Sequence, residues 1–475
     1  MAASETTGDG LVYVVYSLLM GLAALVLAPY WLVQGLRHGK YLSNLGERLG
    51  FSFPALGKLA AAAGRPGAIW IHAVSVGEVL SGVTLARKLK EQYPQRPLIV
   101  STTTMTGQAL ARERMDFVDA VIYFPLDWAF AVRRAMDAVR PAIVVVLETE
   151  IWPNFLREAR RRKVPVIFVS GRVSERSFAR YQKYFGVFGS YLRPLLRRAL
   201  ADADAFLMQS EKDAERIRAL GASADRVRVS GNLKYDMEKP AATPLSNWLA
   251  AETTRSGRGP VVVAGSVVAT EEPLALIAFG TLQGEYPNAL LVLAPRKPER
   301  FEAAAEFIDE SHRKYLRRSE LRVAGPGSTG NGAGVAAGVG PGGGEITNDV
   351  TVVLLDSIGE LASLYGVADG AFVGGSLVPS GGHNILEPAA FGKVPVFGPS
   401  MENFSEMAAK FVASGAAIQV ENPEDAGGAW IELLRAPERM KQMGAAAQRL
   451  VEESRGATGR ALEEIAEQIG ARDGR

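Results

Sequence analysis

The sequence predicts an α/β protein built from two doubly wound, Rossmann-like domains. Two observations carry that reading. Short runs rich in Val, Ile and Leu alternate with longer helix-forming stretches, the pattern of a parallel sheet covered on both faces. The alternation comes in two series, separated by a break after Asp236 that holds Pro240 and Pro244. Within the second series, Gly370 to Phe397 reads as strand, glycine-rich loop, helical stretch (Asn384 to Phe391) and strand, a βαβ unit. Glycines ahead of a helix let the backbone approach a ligand, and a helix N-terminus offers free N–H groups suited to a phosphate. Glu387, one turn in, fits a carboxylate that accepts hydrogen bonds from ribose hydroxyls.

Taken in order, the chain opens with a tail over residues 1–10 and an uncharged run over 11–36. That run is longer than the ~20 residues needed to cross the hydrocarbon core. Glu5 and Asp9 precede it, while Arg37, His38 and Lys40 follow. The positive-inside rule then places the N-terminus outside and everything after residue 37 in the cytoplasm, with a single-pass anchor in the inner membrane. The acidic n-region and Pro29 argue against a cleaved signal peptide. Residues 37–236 form the first domain, with strands expected at 68–73, 97–102, 121–124, 142–147, 164–169 and 205–208. A linker covers 237–258. The second domain covers 259–475, with strands at 261–265, 290–293, 352–355, 370–373 and 394–397. Inside it, 324–344 is nearly all Gly, Ala, Pro and Ser and reads as a flexible insertion. The end of the chain, about 437–470, is charged and amphipathic.

Composition excludes several chemistries. There is no Cys, which removes disulfides, thiolate metal sites and Cys catalysis. The four His residues are scattered without ligand spacing, so no dedicated metal site is expected. Residues 37–200 hold 26 Lys+Arg against 12 Asp+Glu, and the remainder is acidic in compensation. A domain so basic suits an anionic surface or substrate. Neither G-x-x-x-x-G-K-[ST] nor G-x-G-x-x-G after a first strand occurs, which disfavours a P-loop or nicotinamide enzyme.

In open α/β sheets ligands bind beyond the carboxyl ends of the strands. Polar clusters fall at such places: Ser75 to Glu78, Glu148 to Asn154, Ser170 to Arg176, Gly231 to Asp236, Ala294 to Pro298 and Asp356 to Leu361. Glu78 fits a general base, and equally an acid favoured by a helix macrodipole. Arg172 and Arg176, one turn apart if helical, fit a phosphate or carboxylate clamp, or salt bridges to Glu148 or Glu175. Arg296 fits a phosphate contact or plain surface charge.

Together, S-V-G-E (75–78), E-T-E-I-W-P-N (148–154), S-G-R-V-S-E-R-S (170–177), G-N-L-K-Y-D (231–236), A-P-R-K-P-E-R (294–300), D-S-I-G-E-L (356–361) and the G-G-H-N-I-L-E-P segment from Gly381 resemble the bacterial 3-deoxy-D-manno-octulosonic acid (Kdo) transferases of lipid A biosynthesis. The order matches too, over residues 11–470. The resemblance implies a GT-B fold and metal-independent, inverting transfer of Kdo from CMP-Kdo to a lipid A precursor such as lipid IVA, with no cofactor. It makes Glu78 the general base, and Glu148 and Lys234 the stabilisers of the transition state. It gives CMP to Pro295, Arg296, Ile358, Gly359, Glu360, Asn384, Ile385, Leu386 and Glu387. Ser75, Arg172 and Arg176 stand as acceptor-binding candidates. The inner-membrane anionic lipid becomes a partner, and nucleic acid does not. The 324–344 insertion is longer and more Gly-rich than that resemblance leads one to expect. Competing readings are another membrane-associated GT-B glycosyltransferase, a sugar-nucleotide epimerase and a non-catalytic binder of anionic lipid or nucleic acid.

Overall fold

The computed structural model of the chain describes residues 12–22, 25–26, 44–60, 66–321, 323 and 344–474. The 1–10 tail, the insertion at 324–343 and most of 23–43 lie outside the described residues. The chain divides into two compact units, residues 1–237 with 454–475, and residues 238–453.

In the first unit every residue of β1 (Ala68–His72) is buried, as an interior strand of a parallel sheet requires. Its side chains alternate between faces. Ile69 and Ile71 join the core on one side of the sheet, and Trp70 joins the core on the other. The remaining strands are β2 (Leu98–Thr102), β3 (Ala120–Tyr123), β4 (Pro141–Leu147), β5 (Val166–Gly171), β6 (Ala205–Met208) and β7 (Val227–Val229). The order is β3-β2-β1-β4-β5-β6-β7, and every pairing is parallel. Chain direction across the sheet reverses between β1 and β4, the switch point where such sheets bind ligands. The covering helices include α1 (residues 12–22), α2 (Val76–Gln92), α3 (Met105–Arg114), α4 (Ala129–Val139), α5 (Pro153–Arg161), α6 (Glu175–Ala201) and α7 (Glu211–Leu220).

Helix α1 lies in the run expected to cross a membrane. Its polar edge is fastened to the first unit. Tyr13 OH donates to Asp202 at 2.8 Å, Tyr16 OH to Asp127 at 3.0 Å, and Asn154 Nδ2 to Ser17 Oγ at 3.1 Å. Tyr191 OH reaches the carbonyl of Val12 at 2.9 Å. On the other side Leu18 and Leu22 are 67% and 60% exposed. Among the described residues no helix is long and apolar enough to cross a membrane.

The second unit holds β8 (Val261–Val267), β9 (Leu290–Pro295), β10 (Lys314–Arg317), β11 (Val350–Leu354), β12 (Gly370–Val373), β13 (Pro395–Phe397) and β14 (Ile418–Gln419). The order is β10-β11-β9-β8-β12-β13-β14, again parallel throughout. The switch point lies between β8 and β12. Helices α8 (Pro244–Ser256), α9 (Glu272–Glu285), α10 (Phe301–Glu310), α11 (Leu386–Ala389), α12 (Pro423–Arg435) and α13 (Pro437–Glu453) belong to this unit. The helical stretch expected over Asn384 to Phe391 is thus a single four-residue turn, α11.

The last helix, α14 (Ala457–Asp473), departs from the domain limits expected for 259–475. Ala457, Ala461, Ile465 and Ile469, spaced i, i+4, fill the core of the first unit. Burying each Ile contributes about 1.5–3 kcal/mol. Asp236 receives the N–H groups of Gly456 and Thr458, and Arg460 donates to the carbonyl of Ser230 at 2.7 Å.

Candidate active site

At the switch point of the first sheet, the loop after β1 leads into Glu78 in the first turn of α2, and the loop after β4 carries Glu148 and Glu150. Glu78 is the third residue of α2 and turns back toward the helix start. Val74 N–H donates to Glu78 Oε2 at 2.7 Å, and Ser75 Oγ donates to Oε1 at 3.0 Å. The carboxyl is buried, 6% exposed. Burial, with the nearby Glu148 charge, pushes its pKa up to about 7 against the pull of Val74 and Ser75. Glu150 is also pushed up to about 7, by burial first and by Glu148 second. A carboxyl that titrates near neutrality is matched to general-base work.

Lys234 supplies the positive charge, with Nζ 3.6 Å from Glu148 Oε1. Its short 3-10 turn is held by side chains. Asn232 Oδ1 accepts Lys234 N–H at 2.9 Å, and Leu233 N–H donates to Ser170 Oγ at 3.2 Å. Glu148 and Ser170 both sit in the left-handed backbone region, with φ of 56° and 57°. Non-Gly residues held there concentrate at functional sites. The β4 and β5 loops are joined by Arg172 N–H donating to Thr149 Oγ1 at 2.8 Å. Glu78, Glu148, Lys234 and Ser75 therefore share one end of one sheet. Arg172 precedes α6 while Arg176 lies in its first turn and is exposed, so the two do not share a helical face as the clamp reading needed.

Asp127, not singled out from the sequence, organises the same edge. Its carboxylate accepts the N–H groups of Asn154 and Phe155 at 3.0 and 2.8 Å, at the start of α5, along with the Tyr16 hydroxyl. His72, at the end of β1, is fully buried and stacks on Phe124 at 3.8 Å. Burial pushes its pKa down to about 3, so it is neutral.

At the second switch point the geometry is different. Pro295 ends β9, and Arg296 N–H donates to the carbonyl of Val267 at 2.7 Å. Glu387 is pushed up to about 7 by burial, opposed by Arg296 and by a hydrogen bond from Asn384. His383, also missed from the sequence, is pushed down to about 4 by burial and then by Arg296. Tyr365 is raised by burial and then by Glu387. Its hydroxyl lies where a Cβ on Gly265 would stand, so glycine is required there. Arg296, His383, Asn384, Glu387 and Tyr365 thus form one polar group. Ile385 and Leu386 have fully buried side chains and can meet a ligand only through backbone.

Ile358 is exposed and Gly359 has φ of 93°, which leaves this turn open. Glu360 is 1% exposed, and its carboxylate is occupied. Arg318 grips it in bidentate fashion at 2.9 and 3.0 Å, and Ser357 Oγ donates at 2.5 Å. Glu360 therefore shapes the turn through Arg318, and its carboxylate is not available to a ligand. Glu271 plays a similar part for the loop after β12. Its buried carboxylate accepts three successive N–H groups, from Gly375 (2.5 Å), Ser376 (3.0 Å) and Leu377 (2.9 Å). Successive N–H groups of this kind make an anion-binding nest, here filled from inside the protein.

Two parallel, doubly wound sheets, each with polar groups collected at its switch point, define a two-domain Rossmann-like class. Solved structures of that class share the fold. HepE from Anabaena in complex with UDP aligns with a TM-score of 0.52 at 12% identity, covering 86% of this chain and 100% of that one. A UDP-N-acetylglucosamine 2-epimerase aligns with a TM-score of 0.50 at 13% identity, covering 86% and 98%. At that identity the likeness concerns the fold alone. Residues 43–237 match the family model of the 3-deoxy-D-manno-octulosonic-acid transferases (kdotransferases). The 3-deoxy-D-manno-octulosonic acid transferase of Haemophilus influenzae is 33% identical over 429 residues, 89% of this chain and 91% of that one. That of Bordetella pertussis is 32% identical over 412 residues, 85% and 87% of the two chains. The chain belongs to the 3-deoxy-D-manno-octulosonic-acid transferase family of glycosyltransferases.

Proposed function

We propose that this enzyme transfers Kdo from CMP-Kdo to a lipid A precursor such as lipid IVA, in lipopolysaccharide biosynthesis, with inversion at the anomeric carbon. The observation that carries the reading is the meeting of Glu78, Glu148 and Lys234 at the β1/β4 switch point in a chain of this family. Glu78 takes the proton from an acceptor sugar hydroxyl as its oxygen bonds to the anomeric carbon. The bond from that carbon to the CMP phosphate breaks, and its electron pair leaves with CMP. Lys234, with Glu148 beside it, stabilises the negative charge of the donor carboxylate and departing phosphate. Pro295, Arg296, the Ile358–Glu360 turn and Asn384 to Glu387 hold CMP. Arg296 and backbone N–H groups take the phosphate charge, and Glu387 takes the ribose hydroxyls. Ser75, Arg172 and Arg176 face the acceptor.

The same reading puts the protein at the inner membrane, with its catalytic units on the cytoplasmic face and 11–36 as its anchor. Three features support it: the uncharged run with unequal flanks, the basic excess over residues 37–200, and the exposed apolar side of α1. We take residues 1–237 with 454–475 as the acceptor part and 238–453 as the donor part; the stretch expected as a 237–258 linker instead holds α8, whose Leu245 and Leu249 lie in the core of the second unit.

The test is direct. Purified enzyme is mixed with CMP-Kdo and a tetra-acylated, bis-phosphorylated lipid A precursor in EDTA, and the products are read by mass spectrometry. A gain of one or more Kdo masses is expected. No gain from an enzyme that binds CMP would turn the proposal to another acceptor.

A further inference from the structure

A groove of about 620 Å³ runs between α1 and the start of α4. Gly21 and Leu25 line it from the N-terminal segment, Trp128, Ala129 and Phe130 from the α4 side, and Arg133 stands with them. Its volume is within the range of small-molecule sites, and its lining is mostly apolar. Trp128 and Phe130 stack at 5.7 Å, so this wall is rigid aromatic surface. Basic groups border it. Arg134 lies over the rings of Phe51 and Phe130, at 4.6 and 5.7 Å, and Phe51 is 64% exposed.

The place of the groove in the fold decides what it can serve. The residues before α4 follow β3, so they lie at the carboxyl edge of the same sheet that carries Glu78 and Glu148. Asp127 ties that segment to the E-T-E-I-W-P-N loop through Asn154 and Phe155, and ties both to Tyr16 of α1. An apolar channel with cationic neighbours, fixed to the catalytic loop, matches a substrate with an acyl chain and a phosphate.

We infer that this groove holds an acyl chain of the acceptor lipid, with Arg133 and Arg134 facing its phosphorylated head. The inference rests on the acceptor being a phosphorylated glycolipid, as proposed above. The space beside Gly21 is open. A Cβ placed there meets nothing within 4 Å, so a large side chain at this lining position is accommodated without backbone strain.

The experiment compares the wild type with Gly21→Phe in detergent. Acceptors are the tetra-acylated lipid and its fully deacylated bis-phosphorylated disaccharide. The variant is expected to raise the ratio of acylated to deacylated KM by about tenfold or more. A second readout needs no turnover. An acceptor analogue with brominated acyl chains is expected to quench wild-type tryptophan fluorescence more than that of Trp128→Phe, and Gly21→Phe is expected to abolish the difference. An unchanged KM ratio, or quenching that does not depend on Trp128, overturns the inference. So does loss of binding to acceptor-free anionic vesicles with an unchanged KM ratio, which would make the groove a bilayer contact. Absence of Kdo transfer by the wild type refutes the proposed function, and the quenching then still decides the groove.

Discussion

The two switch points share a topology and differ in how they use their carboxylates. In the first unit Glu78 and Glu150 are buried close to Glu148, and both are pushed to about 7. Lys234 stands 3.6 Å from Glu148. In the second unit most buried acids are committed to the scaffold. Glu271 holds three backbone N–H groups, Glu272 pairs with Arg300 at 2.7 Å, and Glu360 is gripped by Arg318. The first site therefore gathers two carboxyls raised to about 7 around Glu148 and Lys234, whereas the second has one, Glu387 beside Arg296, and uses its other buried acids to fix loops. Under the proposed function, proton transfer falls to the first site and nucleotide recognition to the second.

The strongest way to break the comparison is Glu78→Gln. It is expected to lower kcat by about 10²–10⁴-fold while CMP affinity by calorimetry stays unchanged. A matching loss of CMP binding would erase the division between the units. Next comes Lys234→Met, expected to cost about 10²–10³-fold in kcat, again with CMP binding retained. In the second unit Glu271→Gln places an amide N–H₂ against N–H donors. A charged acceptor lost from buried donors costs about 1.5–3 kcal/mol, so the KM for the donor is expected to rise about tenfold or more, with a smaller change in kcat. An equal fall in kcat would make Glu271 part of the chemistry instead.

The smallest effect is on stability. The raised pKa of Glu150 means that the folded state holds its proton more tightly than the unfolded chain does. Folding stability from this group falls as pH rises from about 4.5 to about 7 and stays low above that. Glu150→Gln removes the penalty, and at pH of about 8 it is expected to raise Tm by about 2–4 °C. An unchanged Tm would mean that Glu150 is better solvated than its burial implies.

Much of the fold was legible because interior strands of a parallel sheet are continuous apolar runs. The expected strand at 370–373 is β12, and those at 261–265 and 290–293 lie within β8 and β9. The strands not foreseen are at or near sheet edges. β7 is exposed at two of three positions, β10 reads Lys-Tyr-Leu-Arg, and β14 has two residues. Nothing in their patterning demanded burial. The return of α14 to the first unit was hidden for another reason: Ala457, Ala461, Ile465 and Ile469 announce an apolar stripe but not its partner. In the candidate site, acids and bases at strand ends could be read, because topology puts them on one edge. The scaffold pairs could not, since Arg318–Glu360 and Glu271–Gly375 join residues 42 and 104 positions apart. Such pairing exists only once the sheet has formed.

The most direct test of the account is the pH dependence of kcat/KM for Kdo transfer, from about pH 5.5 to about pH 9. The expected profile rises with pH through an apparent pKa near 7, as Glu78 ionises, and the limb moves to lower pH in Glu150→Gln. A profile flat across neutrality in both proteins would contradict the assignment of Glu78 as the base.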